Sequence, residues 1–494
     1  MLCLLKILVL SVNIYLSQGQ LFLTSNLPWW RMVKDRSRDS GDRLLLTGLL
    51  ESGDDYSARR ASRVDEKYFL GVVSYSGYLT VDEKHESNLF FWYFPAQGTE
   101  HLYEEDQKYD DSDNDDHDDY YSNTFQTKST NHDSPENDDN RPVVLWLQGG
   151  PGSSSLFGLF TENGPFFINE DKISIRKNPY SWHTKYNILF IDNPVGTGFS
   201  FTDASGYCQN ITQVAKHLYL GLRQFFQLFP WLASNPFYIT GESFAGKYIP
   251  AIGFEINERN KIEDFQINLQ GLALGNALSD PYNMLNYGDY AYQTGLVDKH
   301  GWRQMKIFEY LAKEHVNDAY GKIYWDAQLY AFVQASNYSN VYNILEPNAL
   351  EFDPFALFMN QPHIRKAVHV GDQEFASSTT VYYNLTPDFM TTAMHWTEKL
   401  LNEGLRIMYY SGNMDVIVAY PLSEEAYSRM KWNGIDAYRS ACRNPFYVND
   451  TLHGYVKKAN NFYDVLILNA GHMVPTDQPV AALTLLNRFI DNTL

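Results

Sequence analysis

Six short runs of apolar, β-favouring residues punctuate the chain. They are "SNLFFWYF" around 88–94, "PVVLWL" at 142–147, "NILFID" at 187–192, "PFYIT" at 236–240, "LRIMYY" at 405–410 and "DVLILN" at 464–469. Most lack polar alternation, so they predict strands buried on both faces. Between them, "ITQVAKHLYLGLRQFFQLF" (211–229) and the terminal "QPVAALTLLNRFI" repeat apolar positions at helical spacing. Strands alternating with helices predict a mainly parallel sheet covered by helices on both faces.

Two segments interrupt this rhythm. Residues 104–140 are acidic and almost free of aliphatics, yet lie between two strands, which predicts a disordered insertion loop. Asp111, Asp113 and Asp115 have the opening spacing of a calcium loop. Asp116 stands where that loop needs Gly and Ser122 where it needs Glu, so a solvated acidic loop is the expectation, with no metal. Residues 282–360 are Tyr-rich and largely helical by pattern, which predicts a cap inserted between the two parts of the sheet domain, 20–281 and 361–494.

Composition narrows the function. The 494-residue chain has a formal charge of −20, which disfavours nucleic acid as a partner. Its first 19 residues have a secretory-signal pattern: Lys6, an apolar core from Ile7 to Leu16, then Ser17 and Gly19. The rival reading, a membrane anchor, needs a longer apolar stretch, and no later stretch is long enough to span a bilayer. After the signal only Cys208 and Cys442 remain, and sequence does not decide whether they pair. Sequons at Asn210, Asn337, Asn384 and Asn449 fit the secretory route, whether to secretion or to lysosomes.

"PFYITGESFAG" places Ser243 on a turn between a strand and a helix. Gly241 and Ala245 are small enough for such an elbow, although Ala245 stands where a second glycine is usual. The competing reading is a serine that caps the next helix. Two later strand ends supply Asp415 ("SGNMDVIV") and His472 ("NAGHMVP"), in the order Ser, Asp, His that a nucleophile, its orienting acid and its base take in this type of fold. "WLQGGPGSSS" (146–155) offers backbone amides for an oxyanion; a phosphate loop would need a Lys that is absent.

These motifs, together with "NILFIDNPVGTGFSF" and "NAGHMVPTDQP", resemble the serine carboxypeptidases, most nearly their vitellogenic-like branch, from about residue 21 onward outside the acidic insertion. The resemblance implies an α/β-hydrolase fold with an inserted helical cap and no cofactor. It implies Ser243 as nucleophile, His472 as base and Asp415 as its partner, with amides of Gly150 and Phe244 as oxyanion hole. It also implies a site for a peptide's terminal carboxylate at Gln148, Gly149, Glu162 and Glu242, and Met473 beside the leaving residue. Gln148 stands where the family usually has Asn, and Ser153 where many members have Cys.

Glu242 beside a nucleophile then acquires a reason. Two glutamates facing a carboxylate cannot all be ionised, and a protonated carboxyl donates a hydrogen bond. The expectation is a serine carboxypeptidase that removes single C-terminal residues from peptides or proteins at acid pH through an acyl-enzyme on Ser243. Phe244 and the Tyr-rich segment point to an apolar acyl side. The alternatives are an esterase or acyltransferase of the same fold, or a catalytically idle scaffold. Oligomeric state is left open.

Overall fold

The computed structural model describes residues 39–99, 103, 140–348 and 350–494. The expected signal segment and nearly all of the acidic insertion lie outside them. Ten strands form one sheet: β1 (Tyr75–Asp82), β2 (Ser87–Phe94), β3 (Val143–Leu147), β6 (Asn187–Ile191), β7 (Phe237–Glu242), β8 (Leu269–Gly275), β9 (Arg406–Gly412), β10 (Arg443–Val448), β11 (Thr451–Ala459) and β12 (Phe462–Ile467). β4 (Phe166–Ile168) and β5 (Ile175–Lys177) make a separate hairpin. The order across the sheet is β1-β2-β6-β3-β7-β8-β9-β12-β11-β10. The six strands from β6 to β12 are parallel to their neighbours, and antiparallel pairs extend each edge.

Continuous apolar runs become central strands because each face meets a different core. Val143, Leu145 and Leu147 point into one cluster with helices α2 (Ile211–Leu228) and α3 (Ala245–Arg259). Val144 and Trp146 point into the other, with Leu485 and Phe489 of the C-terminal helix 479–490. Each fully buried aliphatic of this kind contributes about 1.5–3 kcal/mol. β2 divides likewise, Leu89, Phe91 and Tyr93 against Phe90, Trp92 and Phe94.

Between β8 and β9 the chain leaves the sheet at the ends where the strands carry the site. It forms α4 (Tyr287–Gln293), α5 (Lys299–Glu314) and α6 (Ala319–Ser336), then runs irregularly from 337 to 355. Asp298 caps α5 and Asp318 caps α6 through their side chains. Among the described residues no helix is long and apolar enough to cross a membrane. Cys208 is buried and Cys442 exposed, and neither forms a disulfide.

Candidate active site

Strand ends bring the site together. β3 and β7 are neighbours, and so are β9 and β12, so the loops that follow them meet on one side of the sheet. Ser243 follows β7 directly and adopts φ 62°, the strained left-handed conformation of a nucleophile elbow. Its amide donates to Gly275 O (3.0 Å), and its carbonyl accepts from Gly246 N and Leu278 N (2.9 Å each). Three bonds thereby hold the turn against strain.

The loop after β3 closes on that elbow. A Cβ on Gly149 would lie 2.5 Å from Phe244 N and 2.7 Å from Ser243 Cβ, so only glycine permits the approach. Gly150 has φ 107°, again a glycine conformation. This packing carries the backbone around Gly150 to that of Phe244. Asp192 anchors the loop: its carboxylate accepts from Ser154 Oγ (2.5 Å), Ser155 N (3.0 Å) and Phe199 N (2.9 Å). Burial raises the Asp192 carboxyl to about 6 despite those donors.

His472 and Asp415 are both buried, with His472 Nδ1 2.7 Å from Asp415 Oδ2. Asp415 Oδ2 also accepts from Asn276 Nδ2 (2.6 Å), and its Oδ1 from Val418 N (3.1 Å). His472 Nε2 has no hydrogen-bond partner among the described residues, so in this conformation it is not bonded to Ser243. Both side chains line one cleft of about 360 Å³. A resting hydrolase often tightens the serine–histidine bond only with substrate present.

The second cluster is acidic. Gln148 Nε2 donates to Glu242 Oε1 (2.7 Å) and to Glu162 Oε1 (3.2 Å), while Trp146 Nε1 donates to Gln148 Oε1 (2.9 Å). The indole thus orients the amide so that its nitrogen faces both carboxyls. Glu162 closes the helix α1 (Leu156–Thr161) at its C-terminal end, and both glutamates are 1 % exposed. Their Oε2 atoms meet no donor. Burial first raises each carboxyl, and the charge of Glu162 raises Glu242 further. A carboxyl that keeps its proton at either position can donate a hydrogen bond.

Of the residues expected from sequence, Gln148, Gly149, Gly150, Glu242, Ser243, Phe244, His472 and Met473 line the cleft together. Asp415 and Glu162 sit behind it, bonded to members that do. Asn337 and Asn449 are exposed; Asn384 is half-buried, and Asn210 caps α2 by accepting from Gln213 N. Sequence reasoning missed Asn276 and Trp146, whose roles depend on contacts that no local motif marks. No cluster of three or more His, Cys, Asp or Glu among the described residues is arranged to hold a metal.

Known proteins carry the same chain plan. A family model described as serine carboxypeptidase matches residues 112–492. The vitellogenic carboxypeptidase of Aedes aegypti is 38% identical over 470 residues, covering 92% of this chain and 91% of the relative. The venom serine carboxypeptidase of Apis mellifera is 38% identical over 469 residues, with 92% of each covered. A prohormone-processing carboxypeptidase from Saccharomyces cerevisiae superposes with a TM-score of 0.71 at 22% identity, over 88% of this chain and 96% of that one, which speaks to fold. The fold is that of the α/β-hydrolases, and the chain belongs to the serine carboxypeptidase family.

Proposed function

We propose that the protein removes single residues from peptide C-termini at acid pH through an acyl-enzyme on Ser243. The observation that carries the reading is the amide of Gln148 held between two buried glutamates, one of them adjacent to the elbow serine. A terminal carboxylate entering the cleft would accept from the Gln148 region, from the Gly149 amide and from protonated Glu162 and Glu242. That arrangement serves a free C-terminus and has no use for an uncharged ester.

The chemistry follows from the positions. Ser243 Oγ attacks the last peptide carbonyl while His472 Nε2 takes its proton, and Asp415 holds the ring through Nδ1. The amides of Gly150 and Phe244 receive the oxyanion. The carbon–nitrogen bond breaks as His472 returns the proton to the leaving amine. Water then attacks the acyl-serine with His472 again as base, releasing the shortened peptide and restoring Ser243. Gly150 and Phe244 supply backbone donors, so no metal is required for any step.

The first 19 residues and the sequons support passage through the secretory pathway, to the exterior or to lysosomes. Exposed Asn337 and Asn449 are the most accessible acceptors for glycans. The helical stretch after β8 would act as the cap over the cleft. Mass analysis of peptide digests, with organophosphonate labelling at Ser243, tests the reading. Loss of one C-terminal residue at a time supports it; internal cleavage, or full activity in Ser243→Ala, overturns it.

A further inference from the structure

The cleft has two differently furnished sides. One is closed by Phe244, Phe389 and Trp325, which pack in that order at centroid separations of 5.4 and 5.2 Å. The other belongs to the irregular stretch after α6. Tyr342 packs against His472 (5.3 Å) and Phe352 (5.6 Å), and Phe352 reaches Phe157 of α1 (6.4 Å). Because His472 must protonate the leaving amine and Glu162 ends α1, this second side receives the released residue.

That stretch is pinned to the catalytic loops. Tyr342 O accepts from His472 N (2.7 Å), and Val341 O accepts from Val416 N and Ile417 N (3.0 Å each). Leu350, Phe352 and Met473 then offer apolar walls, with Glu351 and Asp353 among the lining residues. The two carboxylates are not equivalent. Both oxygens of Glu351 accept from Lys172 Nζ (2.7 and 2.8 Å), whereas among the described residues no hydrogen-bond donor or cation acts on the Asp353 carboxyl. The lysine lining the cleft, Lys322, is bound to Asp326 at 2.6 Å beside Trp325, on the acyl side.

We infer that the leaving-residue side accepts a cationic side chain, a C-terminal lysine or arginine, with Asp353 as its partner. The inference rests on the carboxypeptidase reading and names the residue released. An aliphatic stem lies along Phe157, Phe352 and Met473 while its charged end reaches the carboxylate at the mouth, which is how long basic side chains bury their stems and keep their heads wet. Met473 itself contributes no charge. The unpaired carboxylate supplies it.

The enclosing walls, and after them the charge of Glu351, raise the Asp353 carboxyl to about 6. The other charged or titratable groups on this side among the described residues include Lys172, held by Glu351, Glu162 at the end of α1, Tyr342 and His472. Assays at pH 6.5 therefore keep Asp353 largely ionised.

The test uses blocked dipeptides that share one acyl residue and end in lysine, in norleucine (the same stem without the ammonium) or in glutamate. The full-length protein should show kcat/KM about tenfold higher for lysine than for norleucine. Asp353→Asn should bring lysine to within about twofold of norleucine and leave norleucine unchanged, and Asp353→Lys should favour glutamate over lysine. An exposed loop residue leaves the fold intact in both variants. Parity of lysine and norleucine in the unsubstituted protein, or a lysine preference that survives Asp353→Asn, overturns the inference while norleucine release upholds the carboxypeptidase reading. Release from none of the three overturns both.

Discussion

Glu162 and Glu242 accept hydrogen bonds from the same nitrogen, Gln148 Nε2, at 3.2 and 2.7 Å, and both are buried. Their carboxyls are raised in the folded chain, burial being the larger cause. Carboxyls raised by folding stabilise relative to the ionised state below the unfolded value, about 4.3 for Glu, and that contribution is lost as pH rises through the folded values. Melting temperature should therefore fall from pH 4.5 toward pH 8. In Glu162→Gln, which stays neutral, the fall should be smaller by several degrees, with the two proteins converging at pH 4.5. Calorimetry across that range checks it; parallel curves would mean the pair is not protonated on folding.

Asn276 supports Asp415 beside His472. Its amide bonds Asp415 Oδ2 (2.6 Å), its Oδ1 accepts from Gly412 N (3.2 Å), and its φ is 38°. Glycine tolerates that backbone, so Asn276→Gly removes the side chain without adding strain. We expect kcat to fall about ten- to a hundredfold with KM nearly unchanged, because Asp415 loses a donor that orients it. A change confined to KM would show that Asn276 serves substrate binding instead.

Lys247 holds a wall of the cleft. Its Nζ donates to Phe389 O and Thr391 Oγ1 (3.0 Å each) and to Asp388 O. Three acceptors match the three hydrogens of an ammonium. Burial lowers this lysine to about 7, so the clamp is complete on the acid side and loosens above neutrality. Phe389 packs on Phe244 and Trp325, so Lys247→Met should raise KM about tenfold for substrates with an aromatic acyl residue and less for alanine. Steady-state kinetics with the two substrate types distinguishes this from a uniform loss caused by misfolding.

Much of this was legible in residue patterns. β3, β6 and β7 announce themselves because continuous apolar runs are what a strand with a core on both sides requires. β8 was not read as a strand: "LQGLALG" has two glycines and no β-branched residue, and its place comes from pairing with β7 and β9. The run at 464–469 was placed two residues late, since Phe462 and Tyr463 already pair with β9 and β11, while Leu468 and Asn469 lie beyond the strand. Edge strands β1 and β10, and β11 beside β10, alternate with polar or small residues and carry little signal. Gln148, Ser243 and His472 sit in local motifs, whereas Asn276 meets Asp415 from 139 residues away, and Lys247 meets its carbonyls from more than 140.

The proposed roles of Ser243 and His472 predict their own losses. Ser243→Ala and His472→Ala should each lower turnover on the order of 10⁴-fold or more, and the double variant scarcely further, because the two act as one unit. Single-turnover assays of all three measure the additivity. Losses that multiply would separate the residues.

Protonated glutamates as the readers of a free C-terminus are tested most directly by kcat/KM against pH for one peptide as free acid and as C-terminal amide. His472 must be neutral in both cases, but only the free acid needs protons on Glu162 and Glu242. The free acid should peak at roughly pH 4 to 6 and the amide at higher pH, with Glu242→Gln moving the free-acid peak toward the amide's. Superimposable profiles for acid and amide would contradict the assignment.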